Sequence, residues 1–100
     1  MSEDKLLSFF GIARRAAKLS FGFDSVIEAI SKKQACAVFF AEDLSPKTAK
    51  EIGYAAEKSG IPQVKLKADM DKIQKAIGKA AGVLSLNDKG FAEKIASLLA

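Results

Sequence analysis

A chain of 100 residues with 49% apolar and 28% charged side chains has the composition of one globular domain that buries a single core without staples. Its sixteen basic and twelve acidic residues, a net charge of +4, permit a polyanionic partner without demanding one, and each half carries eight basic and six acidic residues, so no basic tail exists. The absence of histidine removes Ser/His and Cys/His catalysis and the common metal-ligand spacings, and the single cysteine, Cys36, removes an intramolecular disulfide. No apolar run reaches the length of a bilayer span, and no charged-then-apolar leader opens the sequence. The expectation is a cytoplasmic domain over 1–100 with no membrane partner, metal or cofactor.

Ser2, followed by Glu3 and Asp4, reads as an N-cap with an acidic first turn, and Leu6, Phe10, Ala13 and Ala17 recur at helical spacing to about residue 17. "KLSF" (18–21) is a short extended piece. Val26, Ile27 and Ile30 mark a second helix that ends near Lys32 and Lys33. "CAVFFA" (36–41) is the continuous apolar run of a central strand covered on both faces, with Cys36 inside it. After the "EDLSP" turn, Ser45 is an N-cap with Pro46 at the first helical position, and Ala49, Ile52 and Ala56 carry a helix that stops at Gly60. "QVKLK" (63–67) alternates as an edge strand does. Asp69 caps a short helix through Met70, Ile73 and Ile77 that stops at Gly78. "VLSL" (83–86) is a second buried strand, and Asn87 or Asp88 caps a last helix that turns Phe91, Ile95 and Leu98 inward.

This alternation predicts a three-layer α/β/α sandwich with a mixed, mostly parallel sheet of about four strands, in which the short first strand is the one that runs against the others. In such sheets, ligands gather at loop ends and helix N-termini. The acids of "AED" (41–43) lack the partner carboxylates and lysine that phosphoryl chemistry needs, so Asp43 is read as shaping a turn. Gly78 and Gly82 flank Lys79, Ala80 and Ala81, but without the strand-to-helix order and Gly-Lys-Ser/Thr ending of a P-loop. No convergent polar set remains, and the chain is expected to be non-enzymatic. In "KLSFGFDSVIEAISKK" (18–33), Ser25 and Glu28 form S-x-x-E, a capping box, with Gly22 permitting the turn before it.

The stretch "ARRAAKLSFGFDSVIEAISKKQACAVFFAEDLSP" (13–46), followed by "IPQV" and "IQKAIG", resembles the kink-turn RNA-binding superfamily of ribosomal proteins L-seven-Ae and L-thirty-e, and most of all its bacterial YlxQ-like branch. The resemblance covers nearly the whole chain. It implies the same three-layer sandwich and a bent RNA with tandem sheared G·A pairs held at the N-terminus of the second helix. A helix start offers free amides and a positive dipole to phosphates, its first-turn side chains reach guanine edges, and a small apolar loop alongside takes a splayed base. The resemblance places the glycine of the family's Gly-x-Asn-Glu-x-x-Lys motif on Gly22, its Asn on Asp24, its Glu on Ser25 and its Lys on Glu28. The apolar loop falls on Lys79, Ala80, Ala81 and Gly82. Asp24 accepts from a guanine edge but cannot donate to it, and Glu28 puts an anion where the family has a phosphate-seeking cation.

The function expected from these residues is RNA binding by a ribosome- or structured-RNA-associated monomer. Its surface would comprise Gly22, Phe23, Asp24, Ser25 and Glu28, the loop at 79–82, and a basic rim of Arg14, Arg15, Lys18, Lys32, Lys33 and Lys79. The alternative is a protein-interaction module on the same fold that has lost the RNA site, with Phe23 as the anchor for a partner.

Overall fold

The computed structural model describes residues 3–99; the N-cap assigned to Ser2 lies outside them. The elements follow in order as α1 (Glu3–Arg15), β1 (Leu19–Phe21), α2 (Phe23–Ser31), β2 (Ala37–Phe40), α3 (Pro46–Lys58), β3 (Gln63–Lys65), α4 (Met70–Ile77), β4 (Val83–Leu86) and α5 (Lys89–Leu99). The strands form one sheet in the order β1-β4-β2-β3. Period-two alternation divides the core. Ala37, Phe39 and Ala41 face one way, with Leu84 and Leu86, toward α1, α4 and α5; Val38 and Phe40 face the other way, with Val83, toward α2 and α3. The result is the three-layer sandwich, with three helices over one face and two over the other.

Two features of the sheet depart from the sequence reading. Three strands share a direction, but the reversed strand is β4 rather than β1, and because it lies between β1 and β2, two of the three pairings are antiparallel. A buried strand reads as an apolar run whichever way it points, so the composition of "VLSL" carries no direction. The second departure is Cys36, which precedes β2, is only half-buried, and donates its thiol to the carbonyl of Gln34.

Local chemistry fixes most helix ends. Ser45 Oγ accepts from the Thr48 amide with Pro46 at the first position, Asp69 Oδ1 accepts from the Lys72 amide, and Asp88 Oδ1 accepts from the Phe91 amide. Gly78 ends α4 in the left-handed conformation. α1 stops at Arg15, two residues short of the expected end, because Ala17 takes φ 59° and closes a paired turn: its amide reaches the Arg14 carbonyl, and the Lys18 amide reaches that of Ala13. The same arrangement recurs at Lys33 (φ 60°), with Lys33 bonded to Ile30 and Gln34 to Ala29. Fully buried Ser85 donates to Asn87 Oδ1, whose amide nitrogen donates to Ser20 Oγ, so this polar chain ties β1 to β4 with every polar group satisfied. Among the described residues, no helix is long and apolar enough to cross a membrane, and no group of three metal-ligating side chains gathers.

Candidate nucleic-acid interface

β1 pairs with β4 up to its last residue, Phe21 opposite Leu84, and one more bond runs from the Gly22 amide to the carbonyl of Val83 (3.0 Å). That bond holds the chain extended through residue 22, and α2 starts immediately, at Phe23, with Gly22 as its N-cap at φ 90° and ψ 160°. Only glycine adopts this region readily. The expected capping box is therefore absent. Ser25 lies in the first turn of the helix, not before it, and no side chain caps α2. Of the four helices whose starts are described in full, α2 alone begins without a side-chain cap. Exposed Phe23, Asp24 and Ser25 form its first turn, whose amides a helix start leaves without intrahelical partners.

The pairing of Gly22 with Val83 also brings the 78–82 loop against this helix start. Arg14 supports the loop from below: its Nη1 donates to the Ile77 carbonyl at 2.8 Å, and its guanidinium lies 5.4 Å from the centre of the Phe21 ring. Lys79 and Ala80 are exposed, but Ala81 is only 5% exposed and belongs to the core beneath α1 and α4. Its side chain cannot serve as the apolar seat for a splayed base. At Gly82 a Cβ would stand 2.6 Å from Leu44 Cδ1, the tip of a flexible side chain, so a larger residue there would displace Leu44. Asp43 shapes the neighbouring turn, its Oδ1 accepting from the Met70 amide at 2.9 Å.

The basic residues do not form one rim. Arg14 is engaged inward. Lys79 is exposed in the 78–82 loop, and Arg15 opens onto the groove between α1 and α4 beside Lys72 and Lys75. Lys18 lies at the opposite end of β1, 3.8 Å from Asp88. Lys32 and Lys33 follow the C-terminus of α2, about 13 Å from its start at 1.5 Å per residue. Lys32 Nζ is 2.6 Å from Glu28 Oε1, and the hydrogen bond from Lys32, followed by its charge, holds the exposed Glu28 carboxyl below its ordinary pKa. Asp24, Glu28 and Lys32 thus form one i,i+4 row on the outer face of α2. Phe21, which seats Arg14 under the loop, is not among the residues singled out from sequence. Its position one residue before Gly22, in the alternation Leu19–Phe21, was the available signal.

The model of the family described as "Ribosomal protein L7Ae/L30e/S12e/Gadd45 family" matches residues 4–96. The chain is 35% identical over 100 residues to "RNA-binding protein YlxQ" of Bacillus subtilis (strain 168), covering 99% of each, and 32% identical over 98 residues to "RNA-binding protein YlxQ" of Enterococcus faecium, covering 98% of this chain and 94% of that protein. Among solved structures, a protein of unknown function from Bacillus halodurans C superposes with a TM-score of 0.86 at 30% identity, over 93% of this chain and 94% of that one. A Giardia lamblia 15.5 kD RNA-binding protein shares the fold at a TM-score of 0.79 and 17% identity, over 94% of this chain and 81% of that one.

Proposed function

The chain belongs to the ribosomal protein L7Ae/L30e/S12e/Gadd45 family, and from that premise we propose that it is a non-enzymatic RNA-binding protein that holds a structured, kink-turn-like RNA at the N-terminus of α2. One observation carries the reading: α2 begins uncapped at a positive-φ glycine whose amide donates to Val83, the residue into which the 78–82 loop runs. Open amides at a helix start suit phosphate oxygens, and the dipole adds to them. Asp24 and Ser25 are exposed in the first turn, and in this reading they accept from guanine edges in an opened groove. Backbone amides, Lys79 and the exposed face of Ala80 then take the roles that a ring of cations and an apolar seat would fill. Glu28, held as an anion by Lys32, keeps phosphates to the first turn and away from the second.

The test is a titration of the protein with a kink-turn duplex and with an unkinked duplex of equal length, at one fixed salt concentration. The reading expects tighter binding of the kinked RNA, with amide shifts centred on residues 22–25 and 79–80. Equal affinity for both duplexes removes kink-turn recognition. Shifts confined to other faces remove the α2 start as the RNA surface.

A further inference from the structure

The sheet has a second open feature, at the edge farthest from the α2 start. Among the described residues, β3 is an outer strand paired with β2 alone. The Pro62 carbonyl accepts from the Val38 amide at 2.9 Å, and the Leu66 amide donates to the Phe40 carbonyl at 2.8 Å. Both N–H and C=O of one strand residue point to the same side, and the side alternates along the strand. Residues 62, 64 and 66 therefore turn their backbone groups toward β2, and Gln63 and Lys65 turn theirs outward, offering two donors and two acceptors.

A groove flanks this edge on each face of the sheet. On the α3 side, a groove of about 540 Å³ runs along Leu44, Ala49, Lys50 and Lys65, where two lysines outweigh the single acid, Glu42. On the α5 side, a groove of about 280 Å³ is floored by Phe39 and Val64 and walled by Ala92 and Ala96, with Lys89 and Glu93 balancing one another at its rim. Both grooves have apolar floors; the α3-side one carries a net positive rim and the α5-side one a balanced rim.

We propose that β3 is a docking edge for an extended segment of a partner protein in which acidic and apolar side chains alternate. The added strand would bond to Gln63 and Lys65 through its backbone. Successive side chains would fall to opposite faces, acids toward Lys50 and Lys65 and apolar groups toward Phe39 and Val64. A second copy of this chain is a poor occupant, because pairing β3 with itself brings both copies' Lys65 and Lys50 together on one edge. This inference is independent of the RNA reading, since β4 and β2 separate β3 from β1 and the start of α2.

The probe is a short capped peptide alternating valine and glutamate, titrated by calorimetry and by amide NMR against the full chain. The expected result is salt-sensitive binding with shifts and exchange protection at the Gln63 and Lys65 amides. A valine–lysine peptide should bind at least about tenfold more weakly. Lys65→Pro removes an outward donor without touching the ladder to β2, and should weaken binding more than Lys65→Gln, which removes only the charge. Should the proline variant fail to fold, Ala96→Glu, at an exposed helix position, places a charge in the apolar groove and should also abolish binding. Equal binding of the lysine peptide, or shifts away from β3, overturns the proposal. So does self-association through the same amides in sedimentation, or their perturbation by RNA in place of the peptide.

Discussion

At Gly22 the backbone sits at φ 90° and ψ 160°, yet a Cβ there would meet no atom within 4 Å. The demand for glycine is therefore conformational and not a matter of space. Gly22→Ala should cost about 1–3 kcal/mol of stability, the usual cost of a side chain in this region, and should weaken RNA binding by tilting the α2 amides. Chemical denaturation and RNA titration of the same variant check both effects; unchanged stability would mean that the α2 start relaxes freely. Glu28 tells a different residue-scale story. Its lowered carboxyl pKa arises first from the hydrogen bond with Lys32 and then from that residue's charge. A lowered folded-state value means that the pair's contribution is present above the unfolded carboxylate pKa and fades as pH falls through the folded one. Lys32→Gln should return the Glu28 titration toward its ordinary position in side-chain carboxyl NMR, and a titration that stays put would show that the pair does not persist in solution. Glu28→Lys no longer threatens a helix cap, because none exists there. The variant exchanges one ion pair for a like-charged i,i+4 neighbour and should bind RNA more tightly.

Among the elements, those whose ends carry their own chemistry were legible in the sequence. Ser45-Pro46, Asp69 and Asp88 start helices where the residues say so, and Gly78 stops one. Legibility failed where a long-range bond overrode a local signal. S-x-x-E at 25–28 is a sound capping box in isolation, but the bond from Gly22 to Val83, sixty-one residues away, starts the helix three residues earlier. It failed again at the 79–82 loop, where "KAAG" reads as uniformly small and exposed although its third residue is a core position. This distinction separates two otherwise similar variants. Ala81→Asp should bury a charge and cost at least about 3 kcal/mol, destabilising the fold rather than reporting on RNA. Ala80→Asp should leave the melting temperature nearly unchanged and weaken RNA binding, and undiminished affinity would remove the loop from the interface. The helix ends at Ala17 and Lys33 hide in the sequence for a related reason: each closes with a left-handed residue where glycine is usual. Ala17→Gly relieves that strain at some cost in unfolded-state entropy, so a net gain of about 0.5 kcal/mol is expected in denaturant titration.

For the whole molecule, strand order decides which charges act together. The alternation of helices and strands revealed the layers, but four buried residues of β4 look alike in either direction, and only the connections set the reversed strand and hence the neighbours of each loop. A linear count of lysines and arginines near α2 suggests six cations around one RNA. The fold leaves Lys79 exposed in the 78–82 loop and Arg15 exposed on the α1–α4 groove, turns Arg14 inward, and carries Lys18, Lys32 and Lys33 to the far end of β1 and α2. Amides that bind phosphate displace no fixed cation of their own, so the salt dependence of RNA binding should reflect about two or three neutralised phosphates. The log–log slope is then about −1.5 to −2.5, from roughly −0.7 to −0.9 per contact for single- and double-stranded segments. Lys79→Gln should reduce that slope by about 1 unit, and Lys33→Gln should leave it unchanged. If instead Lys33→Gln flattens the slope and Lys79→Gln does not, the RNA lies across the C-terminal end of α2, and the uncapped start at Gly22 serves some other ligand. A pair of titrations over a salt series, one per variant, decides between these two footprints.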